Sequence, residues 1–318
     1  MGKPVIKIHF SDFWSDFDHK DNYFVRVLSK KYTIAFDRES PDFLFFSCYG
    51  NEYLKYKCLR VFYTPDNVRV DFSCCDFGIG FDYMQRENYF RLPLYVYYLN
   101  GDLQPLVKKD IDAPRILREK TGFCNMIVSN PNSKKRIQFF HKLSKYKKVD
   151  SGGRYLNNIG EPVKEKVPFI RNYKFTFAFE NSSYPGYTTE KIMEPMVAHS
   201  MPIYYGNPLI AKEFNPGSFV NAHDFKSDEE VIDRIIELDQ DDKKYLNCLE
   251  QPYVYNNDLN SLDFNPGQFE TFLDKIVVAS RQITPVARTN KKYIHEARRK
   301  FFILKHELGK RLGIHRQS

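Results

Sequence analysis

No run of about twenty apolar residues occurs in this 318-residue sequence, which excludes a membrane-spanning helix. Cysteine is scarce and scattered. Cys48, Cys58, Cys74, Cys75, Cys124 and Cys248 form neither a CxxC pair nor a zinc-type spacing, so they read as buried free thiols of a reducing compartment. Internal repeats and low-complexity segments are missing, which excludes solenoids and wholesale disorder. The opening Met1-Gly2-Lys3-Pro4-Val5-Ile6 runs straight into a strand-like segment and reads as lacking a secretory leader. Ile6 also stands where a myristoylation signal needs Ser or Thr.

Most of the chain also lacks net charge. The formal excess of +8 resides in the last 33 residues, Val286 to Ser318, which hold ten Lys/Arg against two Asp/Glu. The first 285 residues are formally neutral, which argues against a general nucleic-acid binder and for a neutral body with a basic appendage.

What is present is an α/β rhythm. Val5 to Phe10, Tyr32 to Phe36, Phe43 to Phe46, Leu59 to Tyr63 and Phe77 to Gly80 read as strands, too apolar for one-face alternation. Asn22 to Lys30 and Asn51 to Lys57 read as intervening helices. A polar connector follows at Leu103 to Lys120. The rhythm then resumes with a strand at Phe123 to Val128, a helix at Lys134 to Tyr146 and a strand at Phe175 to Phe179. A helix near Thr189 to His199, a strand at Pro202 to Tyr205 and helices at Asp228 to Leu238, Asp241 to Leu249 and Gln268 to Gln282 complete it. The expected organisation is therefore two α/β domains, residues 1–117 and 118–285, with 286–318 as a basic tail; which domain binds acceptor and which binds a nucleotide-sugar follows only from the resemblance given below. The default ligand site is a cleft at strand carboxyl ends.

The stretch Phe175 to Gly206 carries the chemistry. A buried strand ends in Glu180-Asn181, a Ser-Ser-Tyr-Pro-Gly turn follows, and a helix begins with Thr188 expected as its N-cap. Glu190 suits the first turn, but Lys191 opposes the helix dipole unless an anion is also present. Free backbone N–H groups together with that lysine make a diphosphate seat. Pro195 predicts a kink or a short first segment.

Phe179-Glu180-Asn181, then Gly186-Tyr187-Thr188-Thr189-Glu190-Lys191-Ile192, then Ile203-Tyr204-Tyr205-Gly206 resemble the signature of the α1,3/4-fucosyltransferases, glycosyltransferase family 10. Val128-Ser129-Asn130-Pro131-Asn132 with Arg136 four residues on is similar to the bacterial members. So are Phe62-Tyr63-Thr64, Gly80-Phe81-Asp82, Arg91-Leu92-Pro93-Leu94-Tyr95 and Phe214-Asn215-Pro216. The resemblance implies a GT-B fold, two facing Rossmann-like domains with the donor in the second. It implies inverting transfer of L-fucose from GDP-fucose, with no cofactor, to the 3-hydroxyl of N-acetylglucosamine in N-acetyllactosamine-type acceptors. Those are the acceptors of Lewis-antigen glycans, on protein or lipopolysaccharide. By position, Arg136 and Lys191 neutralise the diphosphate, Glu190 binds sugar hydroxyls, and Tyr187 and Asn181 hold the nucleotide. Such roles fit the reaction, because departure of GDP develops charge on a phosphate oxygen that fixed cations stabilise.

One departure concerns the base. Bacterial relatives carry it as Glu in Tyr-Thr-Gly-Glu-Asn, whereas this chain reads Tyr63-Thr64-Pro65-Asp66-Asn67. Asp66 is the expected general base, Glu87 the reserve, and a turn-capping carboxylate is the bland reading of Asp66. Ser151-Gly152-Gly153-Arg154 is a turn that approaches the nucleotide, with Arg154 on the donor side. Phe13, Trp14 and Phe17 are candidates to stack on acceptor sugars. Asp16-Phe17-Asp18 and Asp110-Ile111-Asp112 spell a metal-type pair, but Arg and Lys do metal's work in the expected donor site, so no metal is assigned. His199 and His223 read as structural.

The tail reads as a basic amphipathic helix. Ile294, Ala297, Phe301, Leu304 and Leu308 form one stripe, surrounded by Arg298, Arg299, Lys300, Lys305, Lys310 and Arg311. The expectation is a cytoplasmic enzyme held peripherally on an anionic membrane surface at its inner face, with packing on the protein's own N-terminal domain as the competing use. A homodimer stays open. The alternatives are a GT-B transferase for another nucleotide sugar, a catalytically weak glycan-binding protein, or a membrane-surface scaffold.

Overall fold

The apolar runs become central strands. Phe43–Phe46 is buried at all four positions and Leu59–Tyr63 at all five, because a strand covered on both faces has no solvent side to alternate with. The computed structural model describes residues 2–108, 110–290, 293–295, 297 and 301, in two compact units.

The first unit comprises Met1–Gly80, Met84–Phe90 and Pro266–Ser318. Its sheet is built from β1 (Val5–Ser11), β2 (Thr33–Phe36), β3 (Phe43–Phe46), β4 (Leu59–Tyr63), β5 (Phe77–Gly80) and β6 (Tyr89–Arg91), in the order β2-β1-β3-β4-β5-β6. Pairing is parallel from β2 across to β5. After β1, helix α1 (Tyr23–Leu28) starts where the Asn22 side chain accepts from Val25 N. The expected helix at Asn51 to Lys57 is a single tight turn at Glu52–Lys55.

The second unit comprises Phe81–Tyr83 and Arg91–Asn265. After α2 (Leu94–Tyr98) and α3 (Ala113–Glu119) come β7 (Gly122–Met126), α4 (Lys134–Leu143), β8 (Val149–Ser151) and α5 (Lys166–Ile170). Then follow β9 (Tyr173–Phe179), α6 (Glu190–Val197), β10 (Met201–Tyr205), β11 (Val220–Asn221), α7 (Asp228–Gln240) and α8 (Asp242–Leu249). The five strands are parallel in the order β11-β10-β9-β7-β8. Phe139, Phe175, Met201, Ile203, Ile235 and Tyr245 form its core. The chain returns to the first unit with α9 (Pro266–Ser280), whose Phe269 stacks on Tyr23 at 5.3 Å.

In both sheets the second strand in sequence lies outside the first and the third lies on its other side. The order therefore reverses between β1 and β3, and again between β7 and β9. At such switch points the loops part and leave a crevice beyond the strand carboxyl ends.

The two units cut the sequence differently from a seam at residue 118. The turn through Arg91 joins the second unit, and 266–285 returns to the first because α9 packs on α1. Within the expected polar connector, α3 forms because Asp112 accepts from Arg115 N at 2.9 Å. Helix α6 runs through Pro195 and stops two residues later. Among the described residues no helix is long and apolar enough to cross a membrane. Leu304 and Leu308 of the tail stripe and the basic residues around it lie outside the described residues; Ile294 and Phe301 are exposed.

Candidate functional site

The second switch point gathers charged side chains around the end of β9. Glu180 follows the strand directly and is fully buried. Its carboxylate accepts from Thr189 N and the Thr189 hydroxyl, each at 2.8 Å, and pairs with the Lys191 ammonium at 3.2 Å. The N-cap of α6 is Thr189, whose hydroxyl accepts from Lys191 N, and not Thr188 as the sequence suggests. Thr188 is turned inward, donating to Glu213 at 3.1 Å. The anion that excuses a lysine in the first turn is thus the chain's own Glu180. It also takes the Thr189 N–H that a bound diphosphate was expected to share.

Arg136 approaches the same strand end from α4. It is 2% exposed, donates through Nη2 to the Phe179 carbonyl at 2.6 Å and to Asn181 Oδ1 at 3.0 Å, and keeps Nε without a partner among the described residues. Glu190 sits 3.5 Å from Lys191 through Oε1, while its buried Oε2 likewise has no described partner. A buried donor and a buried acceptor therefore wait at one strand end. Leaving such groups unmet costs about 1–3 kcal/mol each, which a ligand relieves.

Neighbouring charges favour the ionised forms of Lys191 and Glu190. Burial works against the Lys191 ammonium, but the Glu180 and Glu190 charges outweigh it and raise its pKa. Burial pushes Glu190 up, yet Lys191 and Lys166 prevail and hold it below the usual carboxylate range. Burial lowers Arg136 and raises Glu180.

Behind this cluster lies a second layer that motif reading did not assign. Arg91 donates to Glu213 at 2.8 Å, and Glu213 also accepts from Tyr83, Thr188 and Asn207 at 3.0–3.1 Å. Asn207 in turn accepts from Gly186 N at 2.8 Å. This network fixes the loop between β9 and α6. Gly186 has φ +85°, and Gly206 has no room for a Cβ beside Glu180 Cβ at 2.8 Å, so both need glycine. The signal available in the sequence was the Arg91-Leu92-Pro93-Leu94-Tyr95 match, which gives Arg91 no partner.

In the first unit, Asp66 follows β4. Its carboxylate accepts from the Tyr49 hydroxyl at 2.6 Å, while the turn is closed by Thr64 Oγ1 accepting from Asp66 N at 3.0 Å. The described partner of the carboxylate is thus a side-chain hydroxyl. Trp14 lies edge-on to Tyr49 at 6.3 Å, half-buried, and Phe13 is half-buried beside it. Asp66, Tyr49 and Trp14 thus share one edge. Phe17 does not join them as a sugar platform: it is 7% exposed and stacks on Phe13 at 4.0 Å and against Phe10 at 5.4 Å.

Among the other expected residues, Tyr187 lies close enough to Arg136 and Lys191 to act on their charges. Glu87 is exposed and lies 3.9 Å from Lys275, with no described contact to Asp66. Arg154 is exposed without a described partner, and the glycine before it is needed because a Cβ there would run into the Val128 backbone. Tyr187 is buried against Phe81 at 5.0 Å. Asp18 and Asp112 close local turns, His199 bonds Tyr253 at 2.9 Å, and His223 stacks on Tyr205 at 4.9 Å.

Two parallel Rossmann-type sheets, with cations and carboxylates collected at the second switch point, define a fold of the GT-B class. Residues 8–98 match the Alpha-(1,3)-fucosyltransferase FucT N-terminal domain, and residues 117–257 match Glycosyltransferase family 10 (fucosyltransferase) C-term. The chain belongs to glycosyltransferase family 10. It is 34% identical to the Alpha-(1,3)-fucosyltransferase FucT of Helicobacter pylori over 77% of its own length and 60% of that protein's. The chain therefore spans about 60% of the length of that relative. A human 4-galactosyl-N-acetylglucosaminide 3-alpha-L-fucosyltransferase is 32% identical over 46% of this chain and 42% of its own. A solved alpha1,3-fucosyltransferase structure with GDP-fucose superposes with TM-score 0.74 and 30% identity, covering 90% of this chain and 94% of that one.

Proposed function

We propose that the protein is an inverting α1,3-fucosyltransferase that moves L-fucose from GDP-fucose to the 3-hydroxyl of N-acetylglucosamine in lactosamine-type glycans. The observation that carries this reading is the pairing of the unmet Arg136 Nε with the Lys191 ammonium around one strand end. A diphosphate satisfies both and displaces the 3.5 Å contact of Lys191 to Glu190. Glu190 Oε2 then accepts from a sugar hydroxyl.

The chemistry follows from charge development. As the bond between the anomeric carbon and the phosphate oxygen breaks, negative charge grows on GDP, and Lys191 and Arg136 stabilise it without reorganising. The acceptor 3-hydroxyl attacks from the opposite face and gives its proton to Asp66, so the anomeric configuration inverts. The Tyr49 hydroxyl orients Asp66. Phe13 and Trp14 offer apolar faces to the acceptor. No cofactor is required in this reading. We further assign the basic tail to an anionic membrane surface on the cytoplasmic side.

The test is turnover of GDP-fucose with N-acetyllactosamine, with GDP and UDP as competitors. Inhibition by GDP alone supports the donor assignment, and equal inhibition by UDP favours another nucleotide sugar.

A further inference from the structure

Asp71, Cys74 and His295 meet within the first unit, whereas the β9 cluster belongs to the second. One donor atom of each lies within 4.8 Å of the other two. His295 Nδ1 stands 3.2 Å from Asp71 Oδ2, close to the ~3.3 Å edge of a tetrahedron whose metal–nitrogen and metal–oxygen bonds are about 2.0–2.1 Å. The Cys74 thiol is 6% exposed and 3.1 Å from the Asp71 carbonyl oxygen, so a short rotation brings the sulfur onto the same centre.

The surroundings are those that metal ligands need. The other ring nitrogen, His295 Nε2, is 2.7 Å from the Tyr53 hydroxyl, which fixes the ring. The second carboxylate oxygen, Asp71 Oδ1, accepts from Ser73 N at 2.9 Å and Ser73 Oγ at 2.6 Å, leaving Oδ2 to face the centre. Imidazole and carboxylate are each held from behind, as outer-shell partners hold them in metal centres.

The donor set selects the ion. A thiolate with an imidazole and one carboxylate suits a borderline-soft ion of tetrahedral preference, whereas calcium and magnesium favour oxygen alone. We propose that Asp71, Cys74 and His295 form a Zn2+ site, with water as the fourth ligand. Binding releases the thiol proton, because the thiolate is the ligand. The ion joins positions 224 residues apart in sequence and ties the base of the basic tail to the first unit.

The experiment titrates the chelator-stripped full chain with Zn2+ alone and with Co2+ alone. One equivalent of Zn2+ is expected, with a thiolate-to-cobalt charge-transfer band in the Co2+ form and a rise in Tm on adding Zn2+. Cys74→Ser abolishes the band, and His295→Gln weakens Zn2+ binding more than ~10-fold, beyond the low end of an outer-shell loss. If Cys74→Ser does not fold, the His295→Gln titration decides alone. Cys248→Ser, a thiol outside the cluster, keeps the equivalent. Failure to bind, or undiminished binding by His295→Gln, overturns the assignment and leaves a hydrogen-bonded clasp without metal.

Discussion

The Lys191 ammonium lies 3.2 Å from Oε2 of Glu180, a carboxylate with no exposed surface. Thr189 bridges the pair, since its hydroxyl is 2.8 Å from both carboxylate oxygens and 3.0 Å from Lys191 Nζ. The positive charge in the first turn of α6 is thus fixed in place before any substrate arrives. A preorganised cation costs no reorganisation when charge develops.

Replacing Lys191 should therefore separate rate from fold. Lys191→Met is expected to lower kcat by ~10²–10³, the scale of removing one electrostatic stabiliser. It also leaves Glu180 buried and unpaired, a change of several kcal/mol in such sites. The double variant Glu180→Gln with Lys191→Met should recover much of the lost Tm and none of the rate. Thermal melts beside steady-state kinetics check both halves.

Arg136 supplies the other cation through a fork that Lys does not reproduce. Arg136→Lys should raise the apparent Kd for GDP at least ~10-fold, since a charged hydrogen bond contributes about 1.5–3 kcal/mol. In wild type, GDP at 100 times its Kd should stabilise by about 2.7 kcal/mol, and by less at the same concentration in the variant. Calorimetric titration and melting with GDP measure these directly.

Asp66→Asn is expected to reduce kcat by ~10²–10⁴, the range of a positioned general base, with GDP binding unchanged. Asp66→Glu should retain substantial turnover because it restores the carboxylate at one methylene more. Glu87→Gln, at an exposed residue paired with Lys275, should leave kcat near wild type.

A structural carboxylate sets the acid side of stability. Asp228, in the first turn of α7, accepts from Lys135 and, at 3.0 Å, from Lys142, both on α4. Burial raises its pKa, but the two lysine hydrogen bonds outweigh that and the net shift is downward. A depressed folded pKa means the contribution is fully present above the unfolded value of about 3.9 and is lost as pH falls through the lower folded value. Asp228→Asn should lower Tm at pH 7, and the difference should close below about pH 4. Melts across pH 2.5–8 test this sign.

The strands and the long helices were legible because buried parallel strands are apolar throughout and surface helices are periodic. β8, at Val149–Ser151, escaped because three residues give no period to read. The motif around Lys191 pointed to the strand end at which Glu180, Lys191 and Arg136 meet. It put the cap on Thr188 instead of Thr189, since two adjacent threonines are equivalent caps until Glu180 and Glu213 decide which one serves. The Arg91–Glu213 layer was unreadable because its members lie 122 residues apart and meet only through the fold. Phe17 was misjudged for a simpler reason: proximity to a strand end says nothing about which side of the sheet an aromatic ring takes. Glu213 marks where buried polar residues support a loop.

Product analysis tests the central claim most directly. The full chain is incubated with GDP-fucose and N-acetyllactosamine, and the glycan is examined by NMR for anomeric configuration and linkage. The account predicts fucose α1,3-linked to N-acetylglucosamine, formed by wild type and reduced ~10²-fold or more with Lys191→Met. Fucose released only to water, a different linkage, or undiminished transfer by Lys191→Met would contradict it.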